Sequence, residues 1–113
     1  FMSAVTTHVL DTSSGKPASG INICLYFLKD NSWENIAEGK TNSDGRISDL
    51  LKTDITPEKG IYKMKFETGI YYKNQGLRNF YPYVEIIFEI DRDEHYHIPL
   101  LLSPFGYSTY RGS

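Results

Sequence analysis

Three histidines, His8, His95 and His97, are all that the 113 residues contain, and the spacing of His95 and His97 puts both imidazoles on one face of an extended strand. Imidazole titrates near neutral pH, so two such rings can move a proton or orient a water molecule without a metal. Three imidazoles could instead hold zinc with one coordination position left open, as catalytic zinc sites do. The plain alternative is a satisfied polar group on a strand. Arg46 directly follows Asn42-Ser43-Asp44-Gly45, a tight turn in which Gly45 supplies the positive φ. From there its fork of donors could meet a carbonyl or an anionic heterocycle with two hydrogen bonds, unless it is merely solvated at a strand end. Residues 103–113 crowd aromatic rings, hydroxyls and a guanidinium into a segment that should fray unless it is docked. Tyr110 offers a ring for a planar ligand and a hydroxyl for hydrogen bonding.

Other chemistries find little support. There is no G-x-S-x-G elbow, no Gly-rich phosphate loop and no Cys-x-x-Cys pair. Ser103 and Ser108 lie near His97 only in sequence, which does not make a triad. The single cysteine, Cys24, forbids an internal disulfide, and its setting in Ile21–Phe27 reads as an inert buried thiol. A net charge of −2 supplies no basic face for nucleic acid. No apolar run reaches the roughly 18 residues of a membrane span. Phe1-Met2-Ser3-Ala4-Val5 lacks the basic flank and apolar stretch of a signal peptide, which predicts a cytoplasmic protein, or a periplasmic one if a leader has been removed.

The elements that must position these groups read as short strands between turns, so the expected class is all-β. Candidate strands are 4–10, 21–28, 33–41, 62–66, 84–90 and 98–102. Tyr62, Met64 and Phe66 alternate with Lys63, Lys65 and Glu67, the pattern of a half-buried strand. Residues 21–28 are apolar on both faces, which suggests cover on two sides. Ile87 interrupts the Glu85 and Glu89 face of its strand and hints at cover by another subunit. The alternation stops between Thr68 and Leu77, where a short helix or an irregular loop fits. With one or two further strands beside these six, a total of seven or eight at such spacings suggests a β-sandwich.

Thr7-His8-Val9-Leu10-Asp11, Asp44-Gly45-Arg46, His95-Tyr96-His97 and the closing Tyr110-Arg111-Gly112-Ser113 together resemble the 5-hydroxyisourate hydrolases, the transthyretin-related enzymes of urate breakdown. The closing motif is the most specific, because the hormone-carrying transthyretins share the fold and lack that ending. The resemblance implies one domain over residues 1–113, a transthyretin-like sandwich of two four-stranded sheets, and one short helix after the fifth strand. It also implies a homotetramer with its sites at the dimer–dimer interface.

By the same resemblance His8 and His97 are catalytic, and His95 is not a required ligand. Arg46 binds the substrate and polarises the bond to be cut. Tyr110 belongs to the substrate pocket, where Ser113 can hold a water or a substrate oxygen through its hydroxyl or terminal carboxylate. For Arg111 the residue type leaves two roles open, pairing with a carboxylate that fixes the tail or contact with substrate. No metal or other cofactor is implied. The implied reaction adds water to a ring amide of 5-hydroxyisourate and gives 2-oxo-4-hydroxy-4-carboxy-5-ureidoimidazoline. The rival expectations are a transthyretin-like carrier of small aromatic ligands and a structural β-sandwich of a surface protein.

Overall fold

The computed structural model describes residues 4–47, 49–52 and 54–113. Period-2 alternation of apolar side chains dictates most of it. Val5 and Val9 are buried on one face of β1 (Val5–Asp11), and Ile98, Leu100 and Leu102 on one face of β8 (Tyr96–Ser103). Ile23 and Leu25 do the same in β3 (Asn22–Lys29), Tyr62, Met64 and Phe66 in β6 (Gly60–Phe66), and Val84, Ile86 and Ile90 in β7 (Val84–Ile90). These two apolar faces close on one another to form the core. Burying a side chain such as Leu100 or Met64 contributes about 1.5–3 kcal/mol relative to exposure.

One sheet runs β4-β3-β6-β7, with β4 at Ser32–Lys40, and is antiparallel throughout. The other runs β2-β1-β8-β9, with β2 at Lys16–Pro17 and β9 at Gly106–Thr109. A two-residue strand, β5 (Arg46–Ile47), also pairs with β1. The expected pair of four-stranded sheets is thus met in the β4-β3-β6-β7 sheet, called the second sheet below, while the sheet built on β1, called the first, has five strands once β5 and the short β2 are included. The six-residue helix α1 (Thr68–Lys73) follows β6 where the alternation stops.

The pairing of β1 with β8 is parallel, and its register sets Thr6 beside His97 and His8 beside Pro99. Because Val5, Val9, Ile98 and Leu100 face the core, Thr6, His8 and His97 must share the opposite face. Asp11 fastens the end of β1. The amide and hydroxyl of Ser13 donate to its Oδ1 at 3.0 and 2.6 Å, and the Tyr71 hydroxyl of α1 donates to its Oδ2 at 3.0 Å. Burial alone would raise this carboxyl, but the hydrogen bonds from Ser13 and Tyr71 outweigh it and hold the pKa below its ordinary value.

One expectation needs correction. Cys24 is only partly buried, on the face of β3 turned away from the core, with its thiol 3.9 Å from a Glu38 carboxylate oxygen. The alternation that buries Ile23 and Leu25 turns it outward. The chain beyond Leu102 is docked, as its composition suggests: it turns at Pro104 and Phe105 and returns along β8 as β9. The reading of residues 1–3 as free of a leader lies outside the described residues. Among the described residues no helix is long and apolar enough to cross a membrane.

Candidate active site

His8 and His97 meet on the face of the first sheet turned away from the core. Nδ1 of His8 lies 2.7 Å from Nε2 of His97, and the rings stack with centroids 4.9 Å apart. The other nitrogen of His97, Nδ1, lies 2.7 Å from the Thr6 hydroxyl oxygen. That oxygen is in turn 3.0 Å from Nε2 of His95. Thr6 stood outside the sequence expectations. The signal that could have found it is the strand period itself, which puts Thr6 on the face of His8 two residues away.

Both ring nitrogens of His97 are engaged by His8 and Thr6, and among the described residues no three His, Cys, Asp or Glu side chains gather to hold a metal ion.

Arg46 is placed by its turn. The amides of Asp44 and Arg46 both donate to the Asn42 side-chain oxygen, at 2.9 and 3.0 Å, and the Gly45 amide donates to the Asn42 carbonyl at 2.9 Å. Gly45 has φ +71°, and a Cβ there would lie 2.5 Å from the Val9 carbonyl oxygen. The turn therefore needs glycine on both counts. It sets Arg46 opposite His8 in the β1–β5 register.

Burial lowers the pKa of His8, and the Arg46 charge lowers it further. His97 is pushed down to about 4, first by burial and then by His8, Arg46 and His95. Both rings are therefore neutral at neutral pH and able to accept a proton.

The tail closes this region from the C-terminal side. The Gly112 amide donates to the His97 carbonyl at 2.9 Å, and a Cβ at Gly112 would lie 2.6 Å from Cδ2 of His97, so only glycine permits so close an approach. Arg111 reaches the Glu94 carboxylate at 2.8 Å and lies over the Tyr96 ring, 4.4 Å from its centroid. Its contacts are those of an anchor. Ser113 then lines a cleft of about 170 Å³ with Thr6, Thr7, Arg46, Ile47, His95 and His97.

Tyr110 lies elsewhere. It lines an adjoining hollow of about 390 Å³ with Ile87, Glu89 and Thr109, and His97 forms part of both walls. Of the expected site residues, Arg46, His97 and Ser113 share the first cleft, His8 joins through His97, and Tyr110 stands apart.

A profile described as the HIUase/Transthyretin family matches residues 5–112. The chain belongs to that family. A relative from Schizosaccharomyces pombe, named "Probable 5-hydroxyisourate hydrolase", is 47% identical over 97% of this chain and 91% of its own length. A solved 5-hydroxyisourate hydrolase of Klebsiella pneumoniae superposes with a TM-score of 0.85 at 35% identity, covering 96% of this chain and 98% of that one. Sea bream transthyretin in complex with thyroxine gives 0.90 at 32% identity, covering 96% and 94%. Backbone shape alone does not separate hydrolase from carrier, so the side chains of the site must.

Proposed function

We propose that the chain is a 5-hydroxyisourate hydrolase and that the His8–His97 pair beside Arg46 is its catalytic centre. The observation that carries this reading is the 2.7 Å contact between the two imidazoles opposite a guanidinium. A carrier of aromatic ligands has no use for two neutral imidazoles held ready to take protons.

In the proposed reaction the pair orients a water molecule and removes its proton as the oxygen adds to a ring carbonyl of the substrate. Arg46 stabilises the negative charge that grows on that carbonyl oxygen, with donors that suit a flat, carbonyl-rich heterocycle. The ring C–N bond then breaks, and the proton returns to the leaving nitrogen. Ser113 holds the water or a substrate oxygen from the same cleft. Tyr110 reaches the substrate, in this reading, only through the adjoining hollow whose wall it shares with His97. General acid–base catalysis contributes about 10²–10⁴-fold, and a placed cation can add a comparable factor.

The proposal includes one hydrolase domain over residues 1–113, acting without a cofactor in a homotetramer with sites at the dimer–dimer interface. The 63% exposure of Ile87 and 53% exposure of Tyr110, both on the adjoining hollow, are consistent with cover by a further subunit. A cytoplasmic location is consistent with a lone, partly exposed thiol at Cys24.

The test is to add purified protein to freshly generated 5-hydroxyisourate and follow its ultraviolet decay. Decay well above the buffer rate is expected. Decay at the buffer rate together with tight thyroxine binding would favour the carrier.

A further inference from the structure

His95, Thr6, His97 and His8 form an unbroken line of hydrogen-bonding atoms, with heavy-atom separations of 3.0, 2.7 and 2.7 Å. The line is built from two strands. His8 and Thr6 stand two residues apart on β1, His97 on β8 is the register partner of Thr6, and His95 stands two residues before His97. Thr6 and His97 are buried, at 6% and 9% exposure. His95 is half-exposed, at the end of the exposed stretch 91–94 that leads into β8.

We propose that His95 and Thr6 complete a proton relay with His97 and His8, in which His95 is the port to solvent and Thr6 the switch between the two inner rings and that port. This rests on the hydrolase reading above and extends it to two residues that reading leaves idle.

Each neutral imidazole in the line offers one donor and one acceptor nitrogen, and the Thr6 hydroxyl both donates and accepts, so the line can be polarised in either direction. In the outward direction Nε2 of His8 takes a proton from the attacking water, and the Nδ1 proton of His8 passes to Nε2 of His97. The Nδ1 proton of His97 passes to the Thr6 hydroxyl oxygen, whose own proton passes to Nε2 of His95. The Nδ1 proton of His95 leaves to water. One bond to hydrogen forms for each that breaks, and all four groups end neutral with their hydrogen bonds reversed.

When the ring C–N bond breaks, Nε2 of His8 gives its proton to the leaving nitrogen and the line refills from solvent through His95. This restores the starting polarity. The charged groups around the line favour conduction over storage: Arg46 faces His8 from β5, and its charge, like burial, disfavours an imidazolium at His8 or His97.

The test uses Thr6→Val, Thr6→Ser and His95→Ala in the full-length protein, with folding checked by circular dichroism and thermal melting. Thr6→Val keeps the shape and removes the hydroxyl. It is expected to lower kcat by roughly 10-fold or more with KM little changed, and Thr6→Ser is expected to restore most of the loss. His95→Ala is expected to lose kcat in dilute buffer and regain it as imidazole is added, because a soluble proton carrier replaces the port.

Full kcat in Thr6→Val, or a His95→Ala defect that is confined to KM or indifferent to imidazole, would overturn the relay while wild-type turnover left the hydrolase reading standing. If Thr6→Val does not fold, the imidazole dependence of His95→Ala decides alone. A wild-type protein that does not accelerate hydroxyisourate decay would overturn both.

Discussion

On the outward face of the second sheet Lys63 lies 3.3 Å from Glu85 and over the Trp33 ring, 4.5 Å from its centroid. Lys65 lies 3.4 Å from Glu67 and over the Tyr83 ring at 4.4 Å. Each of these two lysines has an anion and an aromatic face. On the outward face of the first sheet Arg46 has no carboxylate partner among the described residues, and its charge falls instead on the buried imidazole of His97 and the half-buried one of His8. Aromatic rings and charges occur on both faces. What separates a solvated surface from a site that can do chemistry is whether the charge is already compensated where it stands.

Removing the imidazoles should break that contrast most severely. His97→Asn and His8→Asn are each expected to cost about 10²–10⁴-fold in turnover while far-ultraviolet circular dichroism stays that of a β-sandwich. Unfolding of either variant would make the ring a structural polar group. Arg46→Lys keeps the charge but loses the planar fork, and a drop of about 10²-fold or more in kcat is expected. In the companion variant Arg46→Gln, an NMR titration should find the His97 pKa above its wild-type value, because a cause of its depression has gone.

Gly112→Ala sharpens the role of the tail. Its methyl group would meet His97 within 2.6 Å of Cδ2, so either the tail or the ring must shift. A misplacement near 1 Å can cost about 10²-fold, with little change in melting temperature. On the second sheet the smallest effect is expected. Lys63→Ala should cost about 1 kcal/mol of stability or less, read from denaturant melts, and leave hydrolysis untouched. A large catalytic loss there would erase the distinction between the two faces.

The strands that pack the core were readable because burial writes alternation into the sequence, as in Tyr62, Met64 and Phe66. The turn before Arg46 was readable because Asn42 and Gly45 are chemically required by it. β9 was not, since Tyr107, Ser108 and Thr109 are all exposed and carry no burial pattern. β5 is two residues long and too short to show a period.

Thr6 shows the limit for the site. Nothing marks it out among the threonines, and its contact with His97 exists only through the parallel register that joins residues 91 positions apart. Tyr110 shows the reverse case: its motif is conspicuous in the sequence, yet it stands in the neighbouring hollow.

The central claim is that neutral imidazoles held beside Arg46 take the proton from water, and the pH dependence of kcat/KM for hydroxyisourate ring opening tests it most directly. That profile reports the essential groups of the free enzyme. Because the folded pKa values of His8 and His97 are depressed from 6.5, with His97 at about 4, the base gains its proton at a lower pH than a free imidazole does. The stability these neutral rings contribute is likewise complete above 6.5 and is lost as pH falls toward 4. The expected profile, corrected for the buffer reaction and for any unfolded fraction, has its acid midpoint below the ordinary imidazole value of about 6.5. A midpoint at or above 6.5, or a rate that rises as the imidazoles become protonated, would contradict the claim.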